Sequence, residues 1–179
     1  MKGLLTGASG FLGGHIMGAL AAKSEVARTV ASRGTIPTSS VETVRIPDLA
    51  ASTDWSGALC NQQIVIHAAA RAHIMKDNSA DPLAEYQRVN VDGTLNFVRQ
   101  SAVAGVRRFI FISSIGVNGN TNTQPVTEED TPIPAELYAQ SKWEAEQGLW
   151  EVQCETGMEL VINRPPLMYG PNAPGNFGS

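Results

Sequence analysis

The 179-residue sequence contains only two cysteines, Cys60 and Cys154, and their spacing matches no metal or redox motif. We expect both to be reduced structural thiols, as in a cytosolic protein. Lysine and arginine form no runs, and the net charge of −4 argues against DNA or RNA as a partner. No apolar stretch reaches the ~18 residues of a membrane span, and no signal-peptide pattern opens the chain. These absences predict a cytoplasmic protein with neither a membrane nor a nucleic-acid partner.

Short apolar runs alternate with stretches of helical periodicity, and 42% of the residues are hydrophobic. This alternation is typical of an α/β fold with a doubly wound parallel sheet. Several of the runs are too apolar for a strand with one face in water, as expected in a sheet covered on both sides. The six predicted strands are Lys2–Leu5, Val26–Ala31, Thr43–Ile46, Ile64–His67, Arg108–Ser113 and Glu159–Asn163.

Three helices are predicted between these strands, over Gly10–Ala22, Pro82–Ala104 and Glu136–Thr156. The segment Gly116–Ala135 has no periodicity and is rich in turn-forming residues, so we expect a long functional loop. After the sixth strand the sequence RPPLMYGPNAPGNFGS is loop-like. We therefore expect residues 1–179 to be one dinucleotide-binding domain, the N-terminal fragment of a longer enzyme that lacks most of its C-terminal substrate-binding portion.

The stretch TGASGFLGG places Gly7, Gly10 and Gly13 at three-residue spacing between the first strand and the first helix. In that context the glycines permit a tight turn, a close approach of a pyrophosphate and close packing of helix on sheet. The helix N-terminus would then attract the anion. The alternative is that these glycines only form a turn.

Arg33 lies at the end of the second strand, where a dinucleotide-binding domain usually has a carboxylate for the adenine ribose. An arginine there favours a 2′-phosphate and therefore NADP(H) over NAD, unless it is simply solvated. Asp48 and Leu49 follow the third strand, where a side chain could meet the adenine.

The stretch YAQSK places Tyr138 and Lys142 on one face of the third helix, and FIFISS ends the fifth strand at Ser113 and Ser114. These side chains are expected at the carboxyl edge of the sheet, where such folds bind ligands. Lowering a tyrosine pKa from about 10 to about 7 requires roughly 4 kcal/mol. One ammonium at ~4 Å supplies about that amount, so Tyr138 is a candidate general base. Ser114 would hydrogen-bond the substrate oxygen during hydride transfer to a nicotinamide.

Six motifs in this order resemble those of the extended short-chain dehydrogenase/reductases: TGASGFLGGHI, HAAARAH, NVDGTLN, FIFISSIGVNG, YAQSK and RPPLMYGP. The chain is most similar to their NAD-dependent epimerase/dehydratase group, the UDP-glucose 4-epimerase-like enzymes of nucleotide sugars. The resemblance implies a Rossmann-type fold and an NAD(P)-dependent epimerase or 4-keto reductase acting at C4 of a nucleotide-linked sugar.

The resemblance also implies roles for individual residues. Ser114, Tyr138 and Lys142 would form the catalytic triad, with Lys142 also contacting the nicotinamide ribose. The other implied cofactor contacts are Gly7, Gly10, Phe11, Leu12, Gly13, Arg33, Asp48, Leu49, Ala68, Ala69, Ala70, Asn90 and Pro165. Members of this family commonly pair their second and third long helices in a homodimer, which we expect here.

A redox sensor that binds a dinucleotide is an alternative to an enzyme. A dinucleotide-binding redox sensor without chemistry would use the same glycine loop, but such proteins typically lack the YxxxK pair found here. His67 and His73 lie six residues apart at a strand end and the following loop. With no third ligand nearby in the sequence, we expect no metal site, and His67 is expected to be a packed strand residue.

Overall fold

The computed structural model describes residues 1–23, 27–32, 41–72, 79–121, 124–171 and 173. Six strands form one parallel sheet: β1 (Lys2–Thr6), β2 (Ala27–Ser32), β3 (Glu42–Arg45), β4 (Ile64–His67), β5 (Arg108–Ile112) and β6 (Glu159–Asn163). The helices are α1 (Phe11–Ala21), α2 (Ser56–Leu59), α3 (Pro82–Tyr86), α4 (Gly93–Val103) and α5 (Leu137–Thr156). The doubly wound parallel sheet predicted from the sequence is confirmed.

The strand order is β3-β2-β1-β4-β5-β6, so β1 and β4 are neighbours although β2 and β3 lie between them in sequence. Thr6 at the end of β1 pairs with His67 at the end of β4. The chain runs outward in opposite directions from this central pair. Such a reversal opens a crevice at the carboxyl ends of the strands, which is where ligands bind in Rossmann-type folds.

Successive residues of β1 point to opposite faces of the sheet, and each face has its own core. Leu4 belongs to the larger core, which includes Phe97 of α4 and Leu149 of α5. Leu5 belongs to the smaller core, against which Ile16 of α1 packs. Both faces of the sheet are therefore covered, as the apolar strands predict.

The helix predicted over Pro82–Ala104 is not regular, which corrects the sequence prediction. A π-helical segment, Gln87–Asp92, separates α3 from α4. A π turn adds one residue without ending the helix, so apolar periodicity over a short window does not reveal it. α2 and a short 3-10 helix, Ile115–Asn118, were not predicted, because each is only four residues long.

Strand boundaries differ from the predictions by one residue at several ends. β1 extends to Thr6, β3 spans Glu42–Arg45, and β5 ends at Ile112. Ser113 and Ser114 therefore lie just beyond β5, at the edge of the sheet. α5 ends at Thr156 and Gly157 is its C-cap, as predicted.

Candidate active site

The turn between β1 and α1 depends on two glycines. Gly7 has a φ of +76°, and a Cβ added there would lie 2.6 Å from the Ala69 nitrogen. A Cβ at Gly13 would lie 2.0 Å from the Gly7 carbonyl oxygen. Neither position can accept a side chain, because the obstructing atoms are backbone. The absence of side chains at these glycines therefore allows β1, α1 and the segment after β4 to pack in close contact.

The N-terminus of α1 faces the crevice with uncharged residues. Gly10 is the N-cap, and the first turn contains Phe11, Leu12 and Gly13. The Gly10 amide donates to the Gly7 carbonyl at 2.9 Å, which fixes the turn in front of the helix. The first N–H groups of a helix have no partner within it and attract anions. This end of α1 is therefore suited to a pyrophosphate.

A cleft of about 390 Å³ lies on the β1–β2–β3 side of the turn. Gly7 and Gly10 line it, together with residues that follow β3 and β4. Its candidate cofactor residues are Asp48, Leu49, Ala68, Ala69 and Ala70. All five are predicted from the sequence to contact the adenine or to line the cofactor. Arg33 lies outside the described residues.

Asp48 is engaged by protein groups at this cleft. One carboxylate oxygen accepts from the Leu49 amide at 2.8 Å, and the other accepts from Arg88 Nη1 at 3.0 Å. Arg88 also pairs with Glu85 at 3.2 Å and itself lines the cleft. Arg88 was not among the sequence candidates, because it belongs to no motif and reaches the cleft from the π-helical segment.

A second cleft, of about 690 Å³, lies on the β4–β5–β6 side. It shares Gly7, Gly10, Ala68 and Ala70 with the first cleft, so the two clefts adjoin at the glycine turn, and together they are called the groove. The further sequence candidates that line it are Phe11, Leu12, Gly13, Ser114, Tyr138 and Pro165. The structure thus brings together two of the three expected catalytic residues, Ser114 from the segment after β5 and Tyr138 from α5.

The two adjacent serines have different surroundings. Ser113 is 3% exposed, and its hydroxyl donates to the buried Glu146 carboxylate. The Ser114 hydroxyl accepts from the Gly116 amide at 3.2 Å at the start of the 3-10 helix. Ser114 is therefore positioned at the groove, while the Ser113 side chain points into the protein.

Lys142 is buried rather than exposed in the groove. The residue is 1% exposed, and its Nζ lies 3.9 Å from the centroid of the Phe111 ring. Burial lowers the pKa of the Lys142 ammonium to about 7, although the Glu146 carboxylate one turn along α5 opposes this. The contact of Lys142 with a nicotinamide ribose stays a prediction.

The phenol of Tyr138 has a raised pKa, which is opposite to the expected direction. Burial is the main cause, and the nearby Tyr86 adds to it. The two rings meet edge to face with their centroids 6.3 Å apart. The protein environment therefore favours a protonated Tyr138, and a general base at this position needs additional positive charge.

His67 is a packed strand residue, as predicted. It is fully buried, with Nδ1 2.7 Å from Thr6 Oγ1 and Nε2 3.0 Å from Thr94 Oγ1. Burial and the positive charge of Lys142 lower its pKa to about 3. His67 is therefore neutral at physiological pH. His73 lies outside the described residues.

Asn90 is also buried, at 1% exposure, in the π-helical segment. Its side chain accepts from the Arg71 amide at 2.8 Å and donates to the Arg71 carbonyl at 3.1 Å. It also donates to Ser141 Oγ at 3.0 Å, and Ser141 donates to the Tyr138 carbonyl. Asn90 therefore links the segment after β4 to the turn of α5 that contains Tyr138, instead of facing the groove.

Comparison with known proteins agrees with this arrangement. The model of the NAD-dependent epimerase/dehydratase family matches residues 3–179. The chain belongs to this family. The epimerase/dehydratase chain is 42% identical over 178 residues to a UDP-glucose 4-epimerase of Vibrio cholerae, covering 98% of this chain and 54% of that protein.

Solved structures of similar fold include epimerases with bound NAD. The UDP-glucuronic acid 4-epimerase of Bacillus cereus, in complex with NAD, superposes with a TM-score of 0.84 at 26% identity. That match covers 97% of this chain and 58% of the other. MoeE5 in complex with UDP-glucose and NAD gives a TM-score of 0.77 at 30% identity, over 90% and 52% of the two chains. The epimerase/dehydratase chain spans about half the length of the curated relatives it matches.

Among the helices that the structure describes, none has the length and apolar character required to cross a bilayer.

Proposed function

We propose that this protein is an NAD(P)-dependent enzyme that acts at C4 of a nucleotide-linked sugar, with Tyr138 as general acid/base. The reaction would be 4-epimerisation or reduction of a 4-keto sugar. The observation that supports this most strongly is that Ser114 and Tyr138 line a groove that continues, through Gly7 and Gly10, to the pyrophosphate turn. Two similar structures contain NAD, and one also contains UDP-glucose.

The groove suits a dinucleotide in shape and chemistry. The side-chain-free turn at Gly7 and Gly13 brings the N-terminus of α1 to the centre of the groove. Ala68–Ala70 form a wall of small residues after β4, and Asp48 and Leu49 lie at the far end. Pro165 lies at the opposite end, beside Ser114 and Tyr138. When bound, a nicotinamide supplies a hydride acceptor and donor, a function that protein side chains lack.

Tyr138 is proposed to transfer one proton during the reaction. Its phenol would take the proton of the sugar hydroxyl and return it, while the Ser114 hydroxyl holds the same oxygen by a hydrogen bond. Since burial raises the pKa of Tyr138, a nearby positive charge must stabilise its phenolate. Lys142, one helical turn away, is the proposed source, and its pKa of about 7 leaves it partly protonated at neutral pH.

The cofactor preference is a separate proposal, which rests on Arg33 in the sequence VASRG. An arginine at that position pairs with a 2′-phosphate, so we propose NADP(H). Tighter binding of NADPH than NADH, lost in Arg33→Ala, would support this proposal. Tighter binding of NADH to the unaltered protein would refute it.

We further propose that residues 1–179 form one dinucleotide-binding domain and that the enzyme is a homodimer. Val103 of α4 is 91% exposed and Trp150 of α5 is 48% exposed. Large apolar side chains at such exposure on adjacent helices suit an interface between copies.

The substitution Tyr138→Phe tests the catalytic proposal. Loss of the phenol hydroxyl removes the proton-transferring group, and general acid–base groups typically contribute 10²–10⁴-fold to rate. We therefore expect turnover of UDP-glucose to fall by at least about 10²-fold. The dissociation constant of the reduced cofactor, measured by fluorescence titration, should change little.

Tyr169→Phe is the matched control, because Tyr169 is 81% exposed. It should retain the turnover of the unaltered protein. Turnover of Tyr138→Phe within a few-fold of that value would contradict the proposed role of Tyr138.

A further inference from the structure

Glu146 is a fully buried carboxylate in the middle of α5. It accepts a hydrogen bond from the Ser113 hydroxyl and forms an ion pair with Arg164. Arg164 Nε lies 3.0 Å from Oε1 and 3.2 Å from Oε2 of Glu146. A buried charge is costly unless such partners surround it, so this arrangement must be maintained in the folded protein.

Ser113, Glu146 and Arg164, here called the trio, each lie next to a residue of the proposed active site, either in sequence or along the same helix. Ser113 directly precedes Ser114, and Arg164 directly precedes Pro165. Glu146 lies one helical turn after Lys142 and two turns after Tyr138 on the same helix. The trio therefore joins the three segments that form the groove on the β4–β5–β6 side.

Two of these segments are also joined through their backbones. The Ser113 amide donates to the Asn163 carbonyl at 2.7 Å, and the Ile115 amide donates to the Pro165 carbonyl at 3.0 Å. Arg164 Nη1 donates to Asn118 Oδ1 at 3.0 Å, in the 3-10 helix after Ser114. Through Ser113 and Arg164, Glu146 connects α5 to the segments after β5 and β6, which are already joined by these hydrogen bonds.

We propose that Glu146 is a positioning residue, which through Ser113 and Arg164 sets the location of Tyr138 relative to Ser114 and Pro165. The inference rests on the proposed function, because the relative positions of Tyr138, Ser114 and Pro165 affect turnover only if these residues act together in one reaction. A misplacement of about 1 Å in an active site can cost ~10²-fold in rate. Glu146 touches neither substrate nor cofactor in this account and acts through its neighbours.

The test compares Glu146→Gln with Glu151→Gln, an exposed glutamate on the same helix. Glu146→Gln keeps the side-chain shape but removes the charge that pairs with Arg164. Ser113→Ala is a milder second variant, which removes one hydrogen bond and keeps the ion pair. The measurements are kcat and KM for UDP-glucose, normalised to folded protein, and the dissociation constant of the reduced cofactor.

We expect Glu146→Gln to lower kcat by about 10²-fold and Ser113→Ala by about tenfold. The cofactor dissociation constant should change by less than about threefold, because most of the proposed cofactor contacts lie at the glycine turn and after β3 and β4, outside the three segments that the trio joins. Glu151→Gln should match the unaltered protein. Unchanged kcat per folded molecule in both Glu146→Gln and Ser113→Ala would assign the trio a purely structural role and overturn the proposal.

Hydrogen exchange provides a readout that is independent of turnover. In Glu146→Gln the amides of Ser113 and Ile115 should exchange at least about tenfold faster, while those of Gly10 and Gly14 remain unchanged. Unchanged exchange at Ser113 and Ile115 would overturn the proposal. If the unaltered protein showed no turnover of any sugar, the proposed function would fail, and the exchange data alone would decide whether Glu146 fixes these segments.

Discussion

At the scale of single residues, the groove depends on polar groups that are buried beneath its surface. Lys142, Glu146 and Asn90 are each at most 1% exposed. The spacing of Tyr138 and Lys142 predicted that they share a helix face, which α5 confirms. It could not predict that Lys142 is covered, because burial depends on Phe111 from a distant strand. This burial lowers the pKa of Lys142, and the burial of Tyr138 itself raises the pKa of its phenol.

The lowered pKa of Lys142 predicts a specific dependence of stability on pH. Between about pH 7 and about pH 10, the unfolded chain holds a proton on Lys142 that the folded protein has lost. The stability of the unaltered protein relative to Lys142→Met should therefore rise with pH across this window. The increase should be at most roughly 4 kcal/mol.

Urea unfolding of both proteins at the two ends of the window measures this difference. Lys23→Met is the control, because Lys23 is exposed, and its effect on stability should show no such rise. A stability difference between the unaltered protein and Lys142→Met that is constant with pH would contradict the account of Lys142.

At the scale of elements, the β1–α1 turn was the best predicted part of the site. The glycine spacing indicated a tight turn and close packing, and the structure shows both, at Gly7 and Gly13. The π-helical segment was not predicted, since apolar periodicity over a short window does not distinguish π turns from α turns. The burial of Asn90 and the position of Arg88 at the first cleft could therefore be found only from the structure.

Two glycines of α1 should respond to alanine in opposite ways. Gly13→Ala places a Cβ 2.0 Å from the Gly7 oxygen, so it should cost at least about 1–3 kcal/mol of stability and weaken cofactor binding. At Gly18, in the same helix, an added Cβ has no neighbour within 4 Å among the described residues. Gly18→Ala should therefore stabilise the protein by about 0.5–1 kcal/mol.

Thermal and urea unfolding of the two variants, together with cofactor titration, check this pair. A Gly13→Ala variant as stable as the unaltered protein would show that the turn is not as tightly packed as described.

At the scale of the whole molecule, alternating strands and helices were sufficient to predict the parallel sheet. The strand order determines where the groove lies, because β1 and β4 are neighbours at the centre of the sheet and the groove opens at their carboxyl ends. Residues 48, 88, 114 and 138 come from distant parts of the sequence, and only this topology brings them to one edge. The nature of the sugar was not predictable, since the residues proposed here bind the cofactor and transfer the proton.

The most direct test of the central claim is to identify the product formed from UDP-glucose in the presence of NAD or NADP. The full protein is incubated with the sugar nucleotide, and the configuration at C4 is followed by NMR while nicotinamide absorbance is recorded. We predict formation of the 4-epimer, or of a 4-keto sugar with matching reduction of the cofactor. Tight cofactor binding without any change at C4, for UDP-glucose and for UDP-glucuronic acid alike, would contradict the account and favour a dinucleotide-binding sensor.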